Sequence, residues 1–393
     1  MNVAPLRTQP IVACLRTAWL LAGALSAAAP VAAAAGETLR DVVFAEYTEY
    51  SSNGELLRRL ASPLTELRLE QGSAGFEAAR AGQAITLPAE RFIVYVPPQQ
   101  PPGGFGLLVF VPPWQEARIP PGWAGALDRN GTIFVSAAHS GNEENVMARR
   151  EPLAVLAAHN IMHRYPVDPQ RVYIGGFSGG GRVALRLALG YPDLFRGAVL
   201  NAGSDPIGDE QIPLPPRDLF SRFQESTHLV YVTGSEDATP AAEDARSMRS
   251  MHEWCVFNVE SYPQPRIGHE VASAAMLAHA LERLLKAPPA EARRLSACRS
   301  GIERELATAL ENVGALLASG RPGDARRLLE KIDRRFGGLA APRSTELARA
   351  ADEGRVPRLE PLSLRLEPGE RSAGRKTQVF PPPASLIGRS VRT

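Results

Sequence analysis

Cysteine is scarce in this chain, with three among 393 residues, at Cys14, Cys255 and Cys298. That excludes a disulfide-dense scaffold, and no His/Cys/Asp cluster has the ligand spacing of a metal site. Charge of one sign is not in excess: 44 basic residues face 42 acidic ones. No dense basic block with interleaved aromatics occurs, so nothing suggests nucleic-acid binding. Long apolar runs are missing too. The stretch at 18–29 is shorter than the roughly 20 residues that a bilayer-spanning helix needs. A phosphate loop is excluded at Gly176–Gly181, because Arg182-Val183 follows where Lys-Ser/Thr is required. No organic cofactor or metal is implied.

What is present begins with a leader. Arg7 and Arg16 precede the apolar run, and small residues 31–35 follow it. This is the pattern of a secretory signal peptide, with cleavage expected near Ala35. An uncleaved anchor is the alternative. The lipobox-like 11–14 segment lies before the apolar run, which argues against a lipoprotein. Export, to the periplasm or the outside, puts Cys255 and Cys298 in an oxidising compartment. One disulfide is then expected, closing a loop of 43 residues, and two buried free thiols remain the other option.

Short apolar runs bounded by Pro, Gly and Asn recur at 41–47, 91–96, 107–111, 132–136, 171–175, 197–200, 229–233 and 255–260. Helical spacing separates the later ones, at 152–164, 180–189 and 271–285. Strands alternating with helices predict an α/β class with a mainly parallel sheet of about eight strands, covered on both faces. Residues 36–90 read as an N-terminal elaboration, with short helices through Leu56–Leu64 and at 76–81. The core is expected at 91–286. A helical hairpin at 287–350 carries Ile302, Leu306, Leu310, Val313 and Leu317 on one arm, and Ala325, Leu328, Leu329, Ile332 and Phe336 on the other. It reads as a packing appendage in preference to a partner-binding module. Residues 351–393, rich in Pro, Arg, Ser and Gly, read as a poorly ordered tail.

Gly176-Phe177-Ser178-Gly179-Gly180 follows a strand and opens a helix. In that setting a Gly-x-Ser-x-Gly segment makes a sharp turn that lifts a serine hydroxyl above the sheet edge. The Gly179 N–H at the helix start faces a developing oxyanion. The pattern is common by chance in a glycine-rich chain, so the strand–turn–helix context carries the reading. A serine needs a base, and the base an orienting acid. Asp237 lies in the loop after the 229–233 strand, with Glu236 and Asp244 as rivals. Among seven histidines, His269 meets the requirements of order, loop position and spacing. His159, His163 and His279 fall in helices, His228 and His252 near strand starts, and His139 near the catalytic edge, in a position to line the pocket.

Residues 171–203, together with Gly141-Asn142, Asn145-Val146, 165–169 and Gly268-His269-Glu270, resemble the secreted poly(3-hydroxybutyrate) depolymerase and feruloyl esterase-like branch of the α/β-hydrolases. The resemblance covers roughly 92–285. It implies an α/β-hydrolase fold and an esterase acting through an acyl-enzyme on a small or polymeric ester. Relatives commonly carry His-Gly after the third strand, where a backbone N–H completes the oxyanion hole. This chain has Val111-Pro112-Pro113-Trp114-Gln115, and prolines cannot donate. The Trp114 N–H is then the expected second donor, with Gln115 next. A peptidase of the same fold, and an envelope interaction protein that keeps the scaffold without the chemistry, are the competing functions.

Overall fold

The computed structural model describes residues 36–286, 288 and 290–355. The expected leader and residues 356–393 of the expected tail lie outside them. Eight strands form one sheet: β1 (Glu37–Val42), β2 (Phe92–Val96), β3 (Phe105–Val111), β4 (Thr132–Ala137), β5 (Val167–Phe177), β6 (Gly197–Asn201), β7 (His228–Val232) and β8 (Val259–Ser261). Their order is β1-β2-β4-β3-β5-β6-β7-β8. β1 and β2 run antiparallel to their neighbours, and the pairings from β4 to β8 are parallel.

Among the described residues twelve α-helices accompany the sheet. They are α1 (Asn53–Leu60), α2 (Pro63–Gly72), α3 (Phe76–Ala81), α4 (Trp123–Arg129), α5 (Glu151–Arg164), α6 (Gly179–Gly190), α7 (Arg217–Ser226), α8 (Ala238–Glu253), α9 (Ala274–Leu285), α10 (Ala292–Ala318), α11 (Pro322–Phe336) and α12 (Arg343–Asp352). Strand β3 shows why they surround the sheet. Every one of its residues is buried, and alternate side chains enter different cores. Leu107, Val109 and Val111 join a core with α5 and α6. Leu108 and Phe110 join a second with α4 and α9. A two-residue period with both faces apolar requires cover on both sides. Each fully buried Leu or Val there contributes about 1.5–3 kcal/mol. The sheet order and the two helical layers are those of the α/β-hydrolase fold.

Three expected elements differ. The first strand lies at Glu37–Val42 and not at 41–47. Asp41 takes φ 52°, the register shifts between Leu39 and Val42, and Phe44 leaves the edge to pack on Phe92 at 4.6 Å. The last strand is only Val259–Ser261, because residues 254–256 close helix α8. Val256 N–H donates to Met251 O and Cys255 N–H to His252 O, with Cys255 at φ 63°. This is a Schellman-type end with a cysteine where glycine is usual. His252 therefore sits in α8 and not before a strand. Third, the C-terminal hairpin of α10 and α11 is followed by α12, which runs to Asp352, past the expected start of the tail.

The C-terminal helices share the first core. Leu306, Leu310, Val313, Leu329 and Ile332 are continuous with the apolar layer over the sheet. Arg299 on α10 donates to Gln224 and to the Ser221 carbonyl of α7. A disulfide joins Cys255 to Cys298, with Cα atoms 5.9 Å apart. It fastens the far end of α8 to α10.

Candidate active site

The serine turn is built by steric exclusion. Ser178 sits between β5 and α6 at φ 55°, ψ −124°, a conformation that costs about 1–3 kcal/mol for a non-glycine residue. Its N–H donates to Asn201 O at 2.8 Å, and its carbonyl accepts from Gly181 N–H at 2.9 Å. A Cβ on Gly176 would lie 2.1 Å from Gly180 O, and one on Gly180 would lie 1.9 Å from Val111 O. The small residues two positions either side of Ser178 are thus demanded by backbone contact, and the Gly179 N–H is left among the unpaired amides of a helix start.

Two loops bring the other groups to this turn. The loop after β7 and the loop after β8 are tied strand-like to each other. Ser235 N–H donates to Gln264 O at 2.8 Å, Gln264 N–H to Thr233 O at 2.8 Å, and Glu236 N–H to Ile267 O at 3.0 Å. Arg266 N–H donates to Ser235 Oγ at 2.9 Å. The contact is close enough that a Cβ on Gly234 would meet Ile267 O at 2.2 Å. Asp237 and His269 emerge from this pair of loops. His269 Nδ1 lies 2.7 Å from Asp237 Oδ2, and His269 Nε2 lies 3.0 Å from Ser178 Oγ. A carboxylate at Nδ1 fixes the proton there and turns the Nε2 lone pair to the serine hydroxyl. The His269 ring also lies against Phe177, with centroids 4.9 Å apart. The His269 side chain is 46% exposed, so the site opens to solvent.

The rival acids are placed elsewhere. Asp244 is buried on α8, where it accepts from Ser204 Oγ at 2.6 Å and from Thr233 Oγ1 at 2.5 Å. Burial pushes its carboxyl above the usual carboxylate range, against the lowering effect of those hydroxyls. Glu236 is exposed, and its side chain makes no hydrogen bond among the described residues.

The loop after β3 borders the other side of Ser178. A Cβ on Gly141 would lie 2.8 Å from the Trp114 carbonyl carbon, and one on Gly179 would lie 2.3 Å from Asn142 Oδ1. Carbonyls anchor this loop: Asn142 N–H donates to Pro113 O at 3.1 Å, and His139 N–H to Gln115 O at 2.7 Å. The backbone N–H groups of Trp114 and Gln115 find no acceptor among the described residues. The indole packs near Phe110 and Phe177, carries the Arg118 guanidinium over its face at 4.2 Å, and buries its own N–H without a partner among the described residues. His139, at φ 50°, supports the loop through its backbone; its carbonyl accepts from Arg149 Nε at 2.6 Å.

Asn201 is a residue that sequence reasoning missed. At the end of β6 and 1% exposed, it touches all three segments of the site. Its carbonyl takes the Ser178 N–H, its Nδ2 donates to Val232 O at 2.8 Å, and its Oδ1 accepts from Ala272 N–H at 2.6 Å. A single asparagine before Ala-Gly carries no signal of this in the sequence; its value comes from the strand ends that meet around it.

No protein-family model matches the chain. A putative esterase, NocK, from Nocardia uniformis subsp. tsuyamanensis is 47% identical over 53 residues, 14% of this chain. The chain covers only 13% of that relative's length. Among solved structures, the S-formylglutathione hydrolase FrmB of Staphylococcus aureus aligns with a TM-score of 0.41 at 11% identity, over 50% of this chain and 93% of its own. A dienelactone hydrolase from Anabaena variabilis aligns with a TM-score of 0.36 at 18% identity, over 50% of this chain and 92% of its own.

Proposed function

We propose that the chain is an exported serine esterase of the poly(3-hydroxybutyrate) depolymerase or feruloyl esterase-like kind. The observation that carries this reading is the unbroken line Ser178 Oγ–His269–Asp237, with separations of 3.0 and 2.7 Å, on a serine held in a left-handed conformation. A scaffold without chemistry has no use for that strain.

In this reading Ser178 Oγ attacks the ester carbonyl carbon while His269 Nε2 takes its proton. The carbonyl π electrons move to oxygen, and the Gly179 N–H and a 114–115 amide stabilise that oxyanion. Each such donor is worth about 3–4 kcal/mol at the transition state. The oxyanion collapses, the alkoxide leaves with the proton from His269, and an acyl-Ser178 ester remains. Water, deprotonated by His269, then attacks the acyl carbon and frees Ser178. Asp237 holds the His269 tautomer and stabilises the imidazolium. The exposure of His269 suits a large or polymeric ester approaching from solvent. Export rests on the leader, and β1 starts two residues beyond the expected cleavage point. The N-terminal sequence of the exported protein checks it: a start far from Gly36 overturns that part.

A fluorophosphonate probe together with a panel of short and aromatic acyl esters tests the function. Ser178 should be labelled, esters turned over, and Ser178→Ala silent in both assays. Absence of labelling in folded protein overturns the enzyme reading. Labelling with amide cleavage but no ester turnover makes it a peptidase.

A further inference from the structure

We propose that Arg150 is a positioning residue for the oxyanion side of the site, holding the 112–115 loop against the start of α6. The proposal rests on the serine-esterase reading. Arg150 is 3% exposed. Its Nε donates to Ser140 O at 2.9 Å, and its Nη2 donates to Pro112 O at 3.0 Å and to Asn142 Oδ1 at 3.4 Å.

Arg150 differs from two other arginines of the described residues, the buried Arg59 and the half-buried Arg186. Arg59 pairs with Asp193 and Glu55, and Arg186 with Glu151. No carboxylate lies within ion-pair distance of Arg150 among the described residues. Its hydrogen-bond acceptors are all neutral, while Glu151 and Glu144 act on its charge only from beyond ion-pair distance; burying a cation this way is costly, so it asks for a reason. The loop supplies one. Pro112 and Pro113 have no N–H with which to anchor themselves, so their backbone can be bonded only through its carbonyls. Asn142 N–H fixes Pro113 and His139 N–H fixes Gln115. Arg150 fixes Pro112 and, through Ser140 and Asn142, the segment that carries both of those donors. Asn142 Oδ1 in turn abuts Gly179, where a Cβ would lie 2.3 Å away. One planar guanidinium therefore joins the loop bearing one oxyanion amide to the glycine bearing the other.

The backbone beneath Arg150 is built for this reach. Residues Val146–Arg150 form a wide, π-type turn capped by Asn145, whose Oδ1 accepts from Ala148 N–H at 2.8 Å. Such turns recur at functional sites. Consecutive arginines here meet consecutive carbonyls, Arg149 that of His139 and Arg150 that of Ser140.

The test compares Arg150→Met and Arg150→Lys in the full chain, on a p-nitrophenyl ester, with an alkylboronic acid as tetrahedral mimic and hydrogen exchange across 137–146. Arg150→Met should lower kcat about ten- to a hundredfold, below the loss of a whole donor, with KM within about threefold and boronate affinity falling in step with kcat/KM. Exchange should quicken at 137–146, where the His139 and Asn142 amides report the loop, and not across the chain. Arg150→Lys, which can reach one carbonyl but not fork to several, should recover part of kcat. Unchanged kcat in folded Arg150→Met, a kcat loss without boronate loss, or uniformly faster exchange would each overturn the proposal. If Arg150→Met does not fold, Asn142→Ala should show the same pattern with a smaller effect, and its absence counts against the proposal. A wild-type protein that cleaves no ester sinks the esterase reading alone, and the exchange arm still decides whether Arg150 holds the loop.

Discussion

Ser178 is flanked on two sides by loops held in opposite ways. On the acid–histidine side, the loops after β7 and β8 are joined by reciprocal backbone bonds, from Thr233–Gln264 to Glu236–Ile267. Their order is a continuation of the sheet. On the side proposed to bear the oxyanion donors, two prolines end that option, and the loop is held from outside by Arg150, Asn142 and His139. The first side is fixed by local geometry and should tolerate distant change. The second depends on a few contacts from outside the loop, two from backbone amides and one from the Arg150 side chain, and should be the more fragile.

The largest expected effect lies between the two sides. Ser178→Ala should lower kcat on a short acyl ester by about 10⁶, as loss of a nucleophile does elsewhere, with the thermal midpoint unchanged or raised through relief of the φ 55° strain. A comparable midpoint with residual turnover would show that the nucleophile lies elsewhere. Next comes the acid–histidine side. Asp237→Asn should cost about 10⁴ in kcat, because the amide stabilises the wrong His269 tautomer. A loss under tenfold would return Glu236 to consideration.

That side also has a remote fastening. Asp237 immediately precedes α8, and Cys255 just beyond it is bonded to Cys298. Cys298→Ala should lower unfolding free energy by about 4 kcal/mol, the chain-entropy cost of releasing a 43-residue loop. Below the melting range kcat should hold, since the loop bonds and not the disulfide place Asp237. A matching fall in kcat at low temperature would break the contrast between a self-supporting acid side and a dependent oxyanion side. On the oxyanion side, Trp114→Pro should cost about 10²–10³ in kcat by removing one amide donor, while Trp114→Phe keeps that amide and should cost far less. Equal losses from both would assign Trp114 to packing and move the donor to Gln115.

The same division explains what could be read from the chain alone. The candidate residues Ser178, Asp237 and His269 can be picked out from the chain because each follows a strand in a required order, and strand ends leave a signature in short apolar runs. The sheet and most helices were legible for the same reason, through periods of two and 3.6. Arg150, Asn142 and Asn201 left no such mark. Arg150 sits in an ordinary polar run, and its partners lie 8 to 38 positions away. The first strand was misplaced because 41–47 looks β-prone, yet Phe44 finds a better contact on Phe92 than the sheet edge offers. The 255–260 run misled because Cys255 and Val256 cap a helix, a role that hydropathy does not record.

Asp244 gives the smallest and sharpest discrimination within the acid side. It lies seven residues past Asp237 and is buried against Ser204 and Thr233. Burial raises its folded-state pKa above the ordinary value, so the native protein binds this proton more readily than the unfolded chain. Its contribution to stability is therefore full below the ordinary carboxylate range, around pH 4, and is lost as pH rises through the raised value. Asp244→Asn cannot ionise and should flatten that part of the stability–pH curve in thermal melts, while changing kcat at neutral pH by less than about threefold against the 10⁴ expected for Asp237→Asn. If Asp244→Asn instead abolished ester turnover with its melting curve unaltered, the acid would lie within α8 and not just ahead of it.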